Sequence, residues 1–171
     1  MQMEKLKQLR HFIFDIDGVL TPGSVLVTEE GQMLRTVNIK DGYALQHAIK
    51  QGFEIAIISG GKSEGMRKRF EGLGLKHIFL GQSNKVEAFE TLKKTWNVTD
   101  DEIAYCGDDM PDFPLLQKVG LSTCPADAAQ DIKDICELIL PVDGGKGCAR
   151  FILETAMKLQ DCWLDKETFS W

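Results

Sequence analysis

Two carboxylates stand two residues apart in the run His11-Phe12-Ile13-Phe14-Asp15-Ile16-Asp17-Gly18-Val19-Leu20-Thr21, directly after an apolar stretch of strand length. A parallel α/β sheet gathers its ligands at the carboxyl ends of its strands, so an Asp-x-Asp-Gly leaving such an end is placed for chemistry. A calcium loop of the EF-hand kind is excluded, because it needs an oxygen ligand at its fifth position and glycine at its sixth. Val19 and Leu20 stand there instead. A solvated acidic turn is the plain alternative for this motif taken alone.

Three more features follow other apolar runs in order. Ser59 comes after residues 53–58, Lys85 opens a helical stretch after Gly81-Gln82-Ser83, and Gly107-Asp108-Asp109-Met110-Pro111-Asp112 comes after residues 103–106. Two carboxylates ~4 Å apart repel by about 4 kcal/mol at an effective dielectric near 20, so gathering Asp15, Asp17 and Asp108 calls for a cation. Magnesium suits such oxygen ligands and keeps water and phosphate oxygens in its shell. A phosphate beside it would meet the Lys85 ammonium, the Ser59 hydroxyl and the backbone N–H groups near Gly18, Gly60 and Gly61. A nucleotide P-loop is not the source of this pattern. Gly61-Lys62-Ser63 resembles its end, but Ala56 occupies the place of the first glycine, and Gly144-Gly145-Lys146-Gly147 lacks the Ser or Thr after lysine.

The elements that must position these groups read as βαβ alternation. Apolar runs at 12–14, 53–58, 77–80, 103–106 and 138–140 have strand length, and most are separated by helical patterns at 41–51, 63–73 and 83–96. Ala44, Leu45, Ala48 and Ile49 share one helical face, as do Val86, Phe89, Leu92 and Trp96. One segment breaks the alternation: residues 25–38 read as a β-hairpin with Gly31 in its turn. Its Val25, Val27, Met33 and Val37 need a cover, for which self-association is the natural source. The tail, residues 161–171, carries Trp163, Phe169 and Trp171, and is expected either to pack on a neighbour or to be disordered.

Composition narrows the function. The 171 residues, 43% hydrophobic and 27% charged, fit one domain with its own core. A net charge of -6 argues against a nucleic-acid groove or an anionic membrane surface. No apolar run approaches the ~18 residues of a membrane span, and a cytoplasmic location is expected. The five cysteines are widely spaced without Cys-x-x-Cys and are expected as reduced thiols, while His11, His47 and His77 lack zinc-type spacing.

Taken together, the Asp15-x-Asp17, Ser59, Lys85 and Asp108 motifs resemble those of the haloacid dehalogenase superfamily of phosphotransferases, from about residue 9 to 159. Only the hairpin and one helix separate Asp15 from Ser59, so the superfamily's cap domain is absent. The runs Asp17-Gly18-Val19-Leu20-Thr21, Lys40-Asp41-Gly42-Tyr43, Gly81-Gln82-Ser83-Asn84-Lys85 and Gly144-Gly145-Lys146-Gly147 are most similar to the capless 3-deoxy-D-manno-octulosonate (KDO) 8-phosphate phosphatases.

That resemblance implies a three-layer, Rossmann-like parallel sheet with a protruding hairpin over one domain, residues 1–171. It implies Asp15 as nucleophile, Asp17 as acid and base, and Ser59 and Lys85 as the grip on phosphate. Magnesium would be held by Asp15, Asp108 and the backbone of Asp17, with Asp109 and Asp112 behind them. Substrate contacts would come from Asp17, Asn38, Ile39, Lys40, Asp41, Gly42, Gly60, Arg69 and Lys85. Hydrolysis of KDO 8-phosphate in lipopolysaccharide biosynthesis is the expected activity, by a tetramer whose neighbouring C-terminal segment closes each site. A phosphatase of 9-carbon sugar-acid phosphates and a non-catalytic oligomerisation module are the alternatives. Gly61 and Gln46 stand where the family carries arginine, which removes a planar fork suited to a carboxylate.

Overall fold

Residues 11–14 alternate their side chains across a sheet, as strand geometry requires, with Phe12 and Phe14 packed in one apolar layer and Ile13 in the other. The same split places Ile55 and Ile57 on the first side and Ala56 and Ile58 on the second. These strands are buried on both faces, which is why they read as nearly continuous apolar runs. The computed structural model describes residues 2–166, 168 and 169.

Among the described residues six parallel strands form the main sheet: β1 (His11–Phe14), β4 (Glu54–Ile58), β5 (His77–Phe79), β6 (Ile103–Cys106), β7 (Leu121–Cys124) and β8 (Leu138–Ile139). Their spatial order is β5-β4-β1-β6-β7-β8, with Phe14 beside both Ile57 and Cys106. The chain builds outward from β1 to one edge and then starts again at β6 on the other side. The crevice between β1 and β6 is therefore a topological switch point, the place where open α/β sheets bind ligands.

Helices α1 (Gln2–Leu6), α2 (Ile39–Lys50), α3 (Glu64–Gly72) and α7 (Cys148–Leu159) contribute to one apolar layer. Helices α4 (Lys85–Trp96), α5 (Phe113–Leu116) and α6 (Gln130–Ile135) contribute to the other. The three-layer reading thus holds, and no cap interrupts it. Strand β7 was not among the expected strands. Its Ser122 and Thr123 hide it from an apolar-run search, yet both are buried: the Thr123 hydroxyl donates to the Tyr105 carbonyl, and the Ser122 hydroxyl accepts from the Glu137 N–H.

The hairpin is present but slight, consisting of β2 (Leu26–Val27) and β3 (Met33–Leu34) paired antiparallel around Gly31. At the other end of the chain, the tail lies along α2 of its own chain. Trp163 is buried against the Tyr43 and His47 rings, its carbonyl meets the His47 ring nitrogen at 3.0 Å, and the Tyr43 hydroxyl donates to the Thr168 carbonyl. Trp171 lies outside the described residues.

Candidate active site

Asp15 is the first residue past β1, Ser59 the first past β4, and Asp108 the second past β6. Lys85 is the first residue of α4, whose preceding Asn84 accepts the Val86 N–H and so sets the helix start. Parallel strands in register bring these four points to one edge. They line a cavity of about 300 Å³ together with Asp17, Gly23, Gly60, Gly61, Asp109, Pro111 and Asp112. A larger cavity of about 370 Å³ at the opposite edge is bordered by Lys5, His11, Glu102 and Gly120 and gathers no comparable constellation.

The Lys85 ammonium lies 2.8 Å from Asp15 Oδ2 and 2.5 Å from Asp112 Oδ1. Burial works against the Lys85 cation, but the two carboxylates outweigh it and hold its pKa above the ordinary value. Asp15 also accepts the Ile16 N–H at 2.7 Å. Burial, followed by the Asp112 charge, nevertheless pushes its pKa up to about 6. The Asp108 carboxyl is pushed up to about 7 by burial and by the Asp112 and Asp15 charges. Oxygens of Asp15, Asp108 and Asp112 come within 4.8 Å of one another. Three acids facing one another with a single ammonium among them form a site short of positive charge, and an all-oxygen donor set fits magnesium.

Asp112 is an unsuitable direct ligand, because its oxygens are already engaged. Lys85 and the Tyr105 hydroxyl donate to Oδ1, and the backbone N–H groups of Asp108 and Asp109 donate to Oδ2 at 3.0 and 3.4 Å. A carboxylate has about four lone-pair positions, and all four are taken. Asp112 therefore holds Lys85 and shapes the Asp108 loop. Asp109 was expected, with Asp112, to hold Lys85 and metal-bound waters; Lys85 pairs with Asp15 and Asp112, while the exposed Asp109 lines the cavity and its side chain accepts the N–H of Met110. Ahead of Asp108 lies Gly18, with φ +89°, where a Cβ would fall 1.9 Å from Asp108 Oδ2. Only glycine lets the first loop approach the third carboxylate this closely.

Ser59 is buried, and its hydroxyl accepts the Gly61 N–H at 3.3 Å. Asp17 sits at the rim of the cavity, half open to solvent. The guanidinium of Arg35, between β3 and α2, meets its carboxylate in a fork, with Nε 2.6 Å from Oδ1 and Nη2 3.0 Å from Oδ2. Sequence reasoning did not single out Arg35. The available signal was one charge within the otherwise uncharged stretch 33–39.

The expected sugar contacts are placed elsewhere, apart from Asp17, Gly60 and Lys85. Asn38 caps α2 by accepting the Lys40 N–H at 2.8 Å. Asp41 is buried and accepts the Arg150 N–H at 2.7 Å at the start of α7; burial pushes its pKa up to about 6 against these bonds. Asn38, Asp41, Gly42 and Arg69 border a separate cavity of about 10 Å³, which is room for a water at most. Ile39 and Lys40 are exposed on the first turn of α2. Within one chain these residues do not join the carboxylate cavity.

A family model described as haloacid dehalogenase-like hydrolase matches residues 77–152. The chain is 35% identical over 158 residues to the 3-deoxy-D-manno-octulosonate 8-phosphate phosphatase KdsC of Escherichia coli (strain B / BL21-DE3), covering 92% of this chain and 84% of that protein. A crystal structure of the phosphatase of that name from Yersinia pestis superposes with a TM-score of 0.91 at 30% identity, covering 94% of this chain and 87% of that one. Its counterpart from Moraxella catarrhalis, in complex with a magnesium ion, a phosphate ion and a KDO molecule, superposes with a TM-score of 0.89 at 30% identity, covering 93% and 91%.

Proposed function

Because the chain belongs to the 3-deoxy-D-manno-octulosonate 8-phosphate phosphatase family of the haloacid dehalogenase-like hydrolases, we propose that it hydrolyses KDO 8-phosphate to KDO and inorganic phosphate. The observation that carries this reading is the meeting of Asp15, Ser59, Lys85 and Asp108 in one cavity, with Asp17 at its rim. Similarity to the magnesium-, phosphate- and KDO-bound relative supports the same ligands here.

In the proposed cycle an Asp15 oxygen attacks phosphorus, the bond from phosphorus to the sugar oxygen breaks, and Asp17 gives its proton to that leaving oxygen. Water then attacks the aspartyl phosphate while Asp17 takes the proton back. The bond from phosphorus to Asp15 breaks, and both carboxyl groups return to their starting states. Lys85 and Ser59 grip phosphoryl oxygens, and Asp112 keeps Lys85 in place. Magnesium, held by Asp15, Asp108 and the backbone carbonyl of Asp17, would neutralise the acidic cluster and polarise the phosphoryl group when bound.

The proposal includes assembly as a tetramer with the whole chain acting as one catalytic domain. Val25, Leu26, Val27, Met33 and Leu34 on the hairpin are all exposed, which supports burial against other subunits. Such contacts would also supply the sugar-binding wall that a single chain lacks. Among the described residues no helix is long and apolar enough to cross a membrane, in keeping with a proposed cytoplasmic site of action. Phosphate release with magnesium, measured on 8-carbon and 9-carbon sugar-acid phosphates and on neutral sugar phosphates, tests the activity. A preference for the 8-carbon acid is expected. Equal or better turnover of the 9-carbon acids would reassign the substrate, and no release from any of them would refute the phosphatase reading.

A further inference from the structure

One guanidinium reaches the site from outside the main sheet. The Arg35 side chain is only 9% exposed, although Met33, Leu34 and Val37 around it face solvent. Its planar fork engages both Asp17 oxygens, a two-point contact that fixes the plane of the carboxyl group as well as its position. The two oxygens are not equivalent. Oδ1 takes the closer N–H and also has the Thr21 hydroxyl at 3.5 Å, whereas Oδ2 takes Nη2 and faces Gly61. A Cβ at Gly61 would lie 3.0 Å from Asp17 Oδ2 and 3.3 Å from Arg35 Nη2, so the backbone of the loop after β4 runs close beside the fork.

We infer that Arg35 is a positioning residue for proton transfer by Asp17. The inference rests on the phosphatase reading above. Arginine stays charged in proteins and gives up no proton itself. Its part is to hold the Asp17 carboxyl so that the remaining lone pair of Oδ2 is aimed toward the cavity. Asp17 enters this half of the cycle protonated on Oδ2, at the lone pair the fork leaves free, and as the bond from phosphorus to the sugar oxygen breaks that proton passes to the sugar oxygen. In the second half of the cycle a proton from the attacking water returns to Asp17. Arg35 also ties the hairpin to the first catalytic loop, so the segment proposed to meet other subunits is mechanically joined to the acid and base.

A merely structural tether, a substrate-binding cation and a positioning residue differ in how their loss depends on the leaving group. A sugar alkoxide needs a proton to depart, whereas p-nitrophenolate does not, and both substrates pass through the same aspartyl phosphate. The value of kcat/KM reports only the steps through leaving-group departure, so slow hydrolysis of the intermediate does not blur the comparison. Arg35→Met keeps much of the stem and removes the fork; Arg35→Lys keeps the charge without the fork. Steady-state kinetics of both variants with the preferred sugar-acid phosphate and with p-nitrophenyl phosphate, in the intact oligomer with magnesium, test the inference.

Arg35→Met should lose at least about tenfold in kcat/KM on the sugar phosphate, seated in kcat, and less than about threefold on the aryl phosphate. Arg35→Lys should fall between wild type and Arg35→Met on the sugar phosphate, and it carries the test alone if Arg35→Met does not fold. Equal losses on both substrates, a loss confined to KM, or no loss at all would overturn the inference while leaving the phosphatase reading intact. A wild-type protein inactive on both substrates would overturn that reading and this inference with it.

Discussion

The carboxyl edge of the main sheet and the hairpin beside it solve opposite problems. At the sheet edge, charge is buried and its geometry is determined several times over: Asp112 alone collects an ammonium, a phenol and two backbone N–H groups. The hairpin has two strands of two residues each and leaves its apolar side chains exposed. The ion pair between Arg35 and Asp17 joins the two regions. Preorganised electrostatics need a rigid, dry frame, because dipoles that must reorient during reaction stabilise charge poorly. A surface proposed to meet another subunit needs no such frame of its own, since association would supply the missing burial.

The largest effect should come from breaking the sheet edge at its centre. Asp15→Asn keeps the shape but removes the nucleophilic carboxylate, and turnover should fall by at least about a thousandfold, with the melting temperature and oligomer retained. Substantial phosphate release by a preparation free of wild-type protein would remove Asp15 from the covalent step.

Next is Asp112→Ala, which leaves Lys85 with Asp15 alone and strips partners from Tyr105 and the Asp108 loop. A stability loss of about 2–4 kcal/mol is expected in urea unfolding, together with a roughly 10–100-fold fall in activity. The exposed Asp109→Ala, which removes only the cap of the short turn Met110–Asp112, should cost about 0.5–1 kcal/mol by the same measurement. If the two variants were equally damaged, the assignment of the supporting role to Asp112 would be wrong.

A smaller effect concerns pH in the absence of metal. Asp15 and Asp108 rise from 3.8 to about 6 and about 7 on folding, so the folded chain binds more protons than the unfolded chain between about pH 4 and 7. Their contribution to stability is greatest at the acid end of that window and is lost as the pH rises through it. The metal-free protein should therefore melt at least about 2 °C lower at pH 8 than at pH 5.5. Magnesium should raise the melting temperature more at pH 8, where both carboxylates are ionised. A metal-free melting temperature that climbs across this range would show that other groups dominate the linkage. Chelation should abolish activity, and added magnesium should restore it.

The smallest effect on the chain itself should follow Leu26→Ser with Leu34→Ser, a facing pair on the hairpin. The subunit core is untouched, so secondary structure should be unchanged, while light scattering should show a tetramer giving way to smaller species. A tetramer that survives the double substitution would remove the hairpin from the interface.

Much of this was legible beforehand for local reasons. Strands β1, β4 and β6 are buried on both faces and announce themselves as apolar runs, and the residues that follow them are bound by the chain to the same sheet edge. Strand β7 was not legible, because Ser122 and Thr123 look like surface residues until their hydroxyls find buried backbone partners. The expected sugar contacts from Asn38 to Gly42 and at Arg69 came from the family resemblance, and within one chain they lie apart from the carboxylate cavity: the Asp41 carboxylate accepts the Arg150 N–H of helix α7, far along the chain.

From consecutive residues alone followed the parallel α/β architecture, the four strand-end motifs, the missing cap and the family they resemble. Alternation, capping and apolar runs are interactions between near neighbours, so the order of residues encodes them directly. Only the tertiary structure decided that Asp112 rather than Asp109 holds Lys85, that Asn38 to Gly42 and Arg69 stand apart from the carboxylate cavity, and that Arg35 forks onto Asp17 across 18 residues of chain. Those pairings depend on where separate loops arrive in space. A charge then joins whichever opposite charge the packing has brought within hydrogen-bonding distance, and the spacing of residues along the chain does not contain that information.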